Sequence, residues 1–194
     1  MIDLSRYRGI IFDMDGTLID SMGSHQEAWR LVSEEYGYPW NEEYMYSLGG
    51  VPTLQTVVVL NEKYGMSHNP EEVANRKKQL WENGDHTPKL IADTLAVFEH
   101  YRPSMKIGVG TGAERAHAIE MLEATGILPR IDALVTASDV KNGKPAPDTF
   151  LDVALQLGLT PAECVVFEDT QIGANAAAAA GMDCVIVKDG KIQC

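Results

Sequence analysis

Five short apolar runs, at 8–13, 105–110, 132–136, 164–168 and 183–187, read as β-strands, and helical patterns separate the later four. Gly9-Ile10-Ile11-Phe12 is apolar without alternation, as expected of a strand buried on both faces in a parallel sheet. Residues 113–125 set Ala116, Ile119, Met121 and Leu122 at helical spacing and stop at Gly126. Residues 148–157 follow Pro145 and Pro147 and stop at Gly158, and the alanine-rich 171–180 stops at Gly181. Strands alternating with helices imply an α/β fold, a mostly parallel sheet covered on both sides.

The stretch between the first two strands breaks this rhythm. Residues 22–84 hold only helical patterns, at about 24–36, 41–48, 53–64 and 70–82. Asn69-Pro70-Glu71-Glu72 opens the last of these with an N-cap residue, a first-turn proline and acids facing the positive end of the helix dipole. A small all-helical unit is therefore inserted after the first strand. Trp29, Trp40 and Trp81 are expected in its interior. No repeat or low-complexity linker interrupts the chain.

Composition narrows the partners. The 194 residues carry a net charge of −12, which argues against nucleic acid or an anionic membrane, since both attract basic surface. One lysine and a metal can still reverse the sign inside a pocket. Cys164 and Cys184 lie in strand-like runs and read as buried free thiols; with Cys194 they form no CxxC pair and no even set. No signal-like segment or membrane-length apolar run is visible, so a cytoplasmic protein is expected.

Ligands of open parallel sheets bind beyond the carboxyl ends of the strands. Asp13 and Asp15 follow the first strand, and Thr111 and Gly112 the second. The third leads through Ser138 and Asp139 to Lys144, and the fourth ends in Glu168-Asp169. Gathered carboxylates call for a cation, and oxygen-only ligands select a hard one such as Mg2+. A hydroxyl and a lysine beside it suit phosphoryl oxygens. A calcium loop starting at Asp13 fails, because its sixth and twelfth places hold Leu18 and Ser24. Gly108, Gly110 and Ala113 fit a dinucleotide fingerprint with Asp132 as the ribose acid, but Gly108 falls inside the strand and Asp132 at a strand's start.

Four stretches, FDMDGTLID at 12–20, GVGTGA at 108–113, GKPAPDTF at 143–150 and VVFEDTQIGANAA at 165–177, resemble the haloacid dehalogenase superfamily. Within it the chain is most similar to the β-phosphoglucomutase-like sugar-phosphate phosphatases, and its end to bacterial fructose-1-phosphate phosphatases. The resemblance spans nearly the whole chain. It implies a Rossmann-like core over 1–20 and 86–194 with a helical cap over 21–85, hinged near Asp20-Ser21 and His86-Thr87-Pro88.

The resemblance also implies roles. Asp13 would be the nucleophile that forms an aspartyl-phosphate, and Asp15 the general acid and base, protonated while Asp13 is ionised. Thr111 and Lys144 would hold the phosphoryl group. Magnesium would be bound by Asp13, the Asp15 backbone carbonyl and Asp169, with Glu168 a ligand or a close neighbour. Many relatives have glycine where Glu168 stands and aspartate where Gly173 stands.

Of the cap, His25 and Lys77 align with substrate-facing positions, while Arg76, beside Lys77, is left without a role. Thr53 occupies the place where related mutases carry a phosphate-binding arginine, and Gly112 completes the expected substrate contacts. His86, His100 and His117 show no ligand spacing. The expected function is a monomeric, Mg2+-dependent phosphatase of a small phosphorylated metabolite. The alternatives are a β-phosphoglucomutase-type isomerase, a non-catalytic phospho-ligand sensor, a dehalogenase, which Asp15 opposes, and a dinucleotide-binding protein.

Overall fold

The computed structural model describes residues 2–85 and 87–193. In β1 (Gly9–Phe12) successive side chains point to opposite faces, and both faces are apolar. Ile10 and Phe12 join one buried cluster with Val109, Val165 and Phe167, while Ile11 joins another with Val135 and Val166. This double burial forces helices onto both sides of the sheet. The strands are completed by β2 (Lys106–Gly110), β3 (Ala133–Val135), β4 (Cys164–Glu168), β5 (Asp183–Lys188) and β6 (Lys191–Ile192). Their order is β3-β2-β1-β4-β5-β6, parallel except for β6.

Eight α-helices accompany them among the described residues. The first four, α1 (Met22–Tyr36), α2 (Glu42–Ser47), α3 (Thr53–Tyr64) and α4 (Pro70–Glu82), fall between β1 and β2. They enclose their own core of Trp29, Val32, Met45, Leu48, Val57, Leu60 and Val73. The Asn69 side chain caps α4, accepting from the Glu71 and Glu72 amides at 3.0 and 3.3 Å. Two of the three tryptophans depart from expectation. Trp40 is 37% exposed, because it lies in the loop before α2. Trp81, at the end of α4, packs into the sheet-side cluster.

The remaining helices are α5 (Ala92–Tyr101), α6 (Arg115–Ala124), α7 (Asp148–Leu157) and α8 (Gln171–Ala179). Helix α5 has no counterpart in the sequence pattern; it packs Val97 and Phe98 on the face shared with α6. The opposite face takes α7 and α8, whose Phe150, Val153, Ala176 and Ala177 are buried. Helix α7 lies so close that a Cβ on Gly108 would sit 2.3 Å from Val153 Cγ1. Asp132 receives the Ile107 amide at 2.8 Å. Helix packing and strand joining thus account for two residues of the apparent dinucleotide fingerprint. Cys164 is buried and Cys184 half-buried, both as free thiols; Cys194 and His86 lie outside the described residues. No described helix is long and apolar enough to cross a membrane.

Candidate active site

Because β1 and β4 are in parallel register, with Phe12 beside Phe167, their next residues emerge together at the sheet's edge. The Asp13 amide donates to the Phe167 carbonyl at 3.0 Å, which fixes the Asp13 backbone against the strand that ends in Glu168. From the loop before α7, Lys144 reaches the same point. Its Nζ donates to Asp13 Oδ1 at 2.6 Å and to Glu168 Oε1 at 2.7 Å, with no side-chain surface exposed. The ammonium also lies 4.7 Å over the Phe150 ring. Glu168 Oε2 accepts from the Thr170 amide and hydroxyl at 2.9 and 3.0 Å, so both oxygens of that carboxylate have partners.

Asp169 stands at the rim of this cluster. Thr17 Oγ1 donates to Asp169 Oδ1 at 3.3 Å, and the hydroxyl of Tyr46, on α2, donates to Oδ2 at 3.0 Å. Asp13, Glu168 and Asp169 each offer a carboxylate oxygen within 4.8 Å of the others. The glycine at 173 follows from the glutamate at 168. A Cβ there would lie 1.9 Å from the Glu168 carboxylate, so the long side chain of Glu168 fills the space over α8 that a residue at 173 would need.

Electrostatics follow from this crowding. Burial, with Glu168 and Asp169 nearby, pushes the Asp13 carboxyl well above its ordinary value although Lys144 opposes the shift. Burial and Glu168 push Asp169 up to about 7. Burial would lower Lys144, but its two carboxylate partners more than offset that and raise it. An all-oxygen group that resists its own charge suits a hard divalent cation, which would relieve the repulsion.

Asp15 faces the other way, into a cavity of about 260 Å³ between the sheet edge and the first four helices. Its Oδ1 accepts from Ser21 Oγ and, at 3.1 Å, from His25 Nε2. Lys77, buried on α4, lies with Nζ 2.8 Å from His25 Nδ1. An ammonium can only donate, which makes Nδ1 the acceptor and Nε2–H the donor to Asp15. Burial alone would raise Asp15, yet His25, His117 and Ser21 together hold it below the usual carboxylate range. Asp15 is thus held toward its ionised form, and the protonated form that the resemblance implies has to be reached during the reaction. Lys77 is pushed down to about 8 by burial, against the pull of Asp15.

Thr111, following β2, is 1% exposed; its amide donates to the Val135 carbonyl at 2.9 Å, and its hydroxyl accepts from the Ala113 amide at 3.1 Å. Thr111, Gly112 and Thr53 all line the cavity. Arg76 does not join them and instead forms a two-pronged ion pair with Glu35. Arg115 pairs with Asp139 at 2.6 Å on the outside. His117 is the residue that spacing overlooked. Projecting from α6 into the cavity, it meets the Trp81 ring edge-on at 4.5 Å and the His25 ring at 5.5 Å. Tyr46 was equally hidden, because only the folded position of α2 brings it to Asp169.

A β1-centred parallel sheet that buries a lysine among carboxylates at its carboxyl edge, under a helical cover, defines one class of hydrolase, the haloacid dehalogenase-like enzymes. The description of that family, haloacid dehalogenase-like hydrolase, matches residues 10–187. The chain belongs to this family, in its β-phosphoglucomutase-like branch, and is an enzyme of the phosphatase type. It is 39% identical over 186 residues to the fructose-1-phosphate phosphatase YqaB of Escherichia coli (strain K12), covering 94% of this chain and 97% of the relative. It is 32% identical over 178 residues to a phosphorylated carbohydrates phosphatase of Thermotoga maritima, covering 90% and 82%. The crystal structure of β-phosphoglucomutase from Clostridium difficile superposes with a TM-score of 0.81 at 26% identity, covering 94% of this chain and 85% of that one.

Proposed function

We propose that the protein hydrolyses a small sugar phosphate, with fructose 1-phosphate the first candidate, in a magnesium-dependent reaction through an aspartyl-phosphate on Asp13. The observation that carries this reading is Lys144, sealed between Glu168 and Asp13, the carboxylate that lines the cavity. A buried cation against a strand-end carboxylate is an arrangement for holding a phosphoryl group at a nucleophile.

Magnesium would be held by Asp13, the backbone carbonyl of Asp15, Asp169 and the Glu168 side. Bound there, it would supply positive charge that offsets the phosphoryl oxygens. Asp13 attacks phosphorus, and Lys144 and Thr111 steady the non-bridging oxygens. The leaving sugar oxygen needs a proton. In the resting arrangement Asp15 carries none, but the His25 Nε2–H points at it. Transfer of that proton to Asp15, with a Lys77 proton passing to Nδ1, arms Asp15 as the acid and leaves Lys77 neutral. The lowered Lys77 supports such a donor. Asp15, having given the proton up, then serves as base toward the water that cleaves the aspartyl-phosphate.

The cavity walls favour a singly phosphorylated, otherwise neutral substrate. Thr53 brings no charge, the acids Asp13, Asp15, Glu82, Glu114 and Glu120 outnumber the lysines Lys77 and Lys78, and Gln26 Oε1 is a buried acceptor with no partner among the described residues, suited to a sugar hydroxyl. The test is a phosphate-release screen over small phosphorylated metabolites, with and without magnesium, alongside Asp13→Asn. Release from sugar phosphates that needs both magnesium and Asp13 is expected. Release that survives chelation, or that Asp13→Asn leaves intact, would overturn the reading.

A further inference from the structure

We propose that Asp15, His25 and His117 form a second, inhibitory metal site, selective for a borderline ion such as Zn2+ and separate from the all-oxygen cluster around Asp13. Each of the three offers one ligand atom within 4.8 Å of the other two, and the Asp15–His25 pair is already at 3.1 Å. The donor sets of the two clusters differ in kind. Asp13, Glu168 and Asp169 present only oxygen, which suits Mg2+, whereas two imidazoles and a carboxylate suit zinc, cobalt or nickel and leave Mg2+ weakly bound. Three protein ligands leave a fourth tetrahedral position facing the cavity.

The ligands come from three separate parts of the fold: the loop after β1, helix α1 of the helical unit, and helix α6 on the sheet. The site can be complete only while the helical unit lies against the sheet, so an ion here ties the two together. Zinc would take the place of the proton on His25 Nε2. The ring then takes a proton on Nδ1 from the Lys77 ammonium, which becomes a neutral amine, and the Nε2 proton leaves to solvent. Zinc would also occupy the Asp15 carboxylate and so remove the general acid. Inhibition rests on the proposed role of Asp15, while ion binding does not.

Co2+ serves as the visible probe. Enzyme saturated with magnesium is titrated with Co2+, and the ligand-field absorption is followed, then bleached with Zn2+. One equivalent is expected to bind. His117→Gln and His25→Gln should each weaken binding at least about 10- to 100-fold, because losing a neighbour of a ligand alone costs that much. The inactive Asp13→Asn variant should bind Co2+ as the parent does. In the phosphatase assay the zinc midpoint of His117→Gln, measured against its own metal-free rate, should rise by the same factor. Absence of cobalt binding in the parent would overturn the site, as would binding unchanged in both histidine variants or lost only in Asp13→Asn. Tight binding without inhibition would overturn its inhibitory role and the acid role of Asp15, leaving the phosphatase reading to the metabolite screen.

Discussion

At the scale of single residues, the interior of this protein is organised around one charge. Lys144 has no exposed side-chain surface, and it is stable there because two carboxylates and an aromatic face surround it. Removing one member of a buried ionic group leaves the rest uncompensated, at about 3–5 kcal/mol. Lys144→Met is therefore expected to lose about that much stability in denaturant unfolding at neutral pH, and to lose phosphatase activity. It should also recover part of the stability in mild acid, where the stranded carboxyls take up protons. An equally stable variant would show that the lysine does not neutralise the cluster. Asp13, Asp15, Thr111 and Lys144 were visible as candidates because strand ends in a parallel sheet share one edge. The proton states were not. They depend on His25, His117 and Lys77 arriving from helices whose placement no local spacing records.

Among the elements, those buried by simple patterns were the legible ones. The five principal strands and the helices of residues 22–82 matched their apolar runs and caps. Helix α5 was missed because its N-cap, Ile91, makes no side-chain cap bond and its boundary signals are slight, Asp93 in the first turn and His100 in the last. Strand β6 is only two residues long and is held by its pairing with β5, which is not a local signal. The joint before β4 shows what a clear local signal looks like. In the short 3-10 turn Pro161–Glu163, the Glu163 carboxylate accepts from the Thr160 amide at 2.8 Å and pairs with Arg8 at 2.9 Å, linking the approaches to β4 and β1. These bonds hold Glu163 down to about 2, below its ordinary 4.5. A depressed acid stabilises the fold above its unfolded value and loses that contribution as pH falls through the folded one. Glu163→Gln should thus be less stable than the parent near neutral pH. The gap should close between about pH 4.5 and about pH 2, as read from paired unfolding curves. A gap independent of pH would show that shape, not charge, makes the joint.

For the whole molecule, the relation between the helical unit and the sheet decides function. Two chain segments join them side by side: the Asp20 amide donates to the Lys89 carbonyl at 2.8 Å, and the Ile91 amide to the Leu18 carbonyl at 2.9 Å. We propose that the unit opens and closes about these segments, admitting substrate and then excluding water. In the structure it is closed onto the sheet through contacts that include His25 on Asp15, Tyr46 on Asp169 and the Gly50 carbonyl over Gly112. A Cβ on Gly112 would lie 2.1 Å from that carbonyl oxygen. Gly112→Ala should therefore disfavour closure by about 1–3 kcal/mol, a loss of roughly 5- to 150-fold in catalytic efficiency, while thermal unfolding of the core changes little. Unchanged kinetics would show that this contact does not accompany turnover.

We propose that the cavity lining also favours hydrolysis over isomerisation. A mutase must hold a second phosphate while the intermediate turns around. Thr53 and Glu114, neither of which is a cation, line the cavity, and Arg115 is committed to Asp139 on the outside. Phosphorus NMR of β-glucose 1-phosphate with enzyme, magnesium and a bisphosphate primer follows both outcomes in one tube. Inorganic phosphate is expected to grow from the monophosphate, to be abolished by Asp13→Asn, and not to be outpaced by glucose 6-phosphate. Glucose 6-phosphate accumulating faster than inorganic phosphate would contradict that expectation.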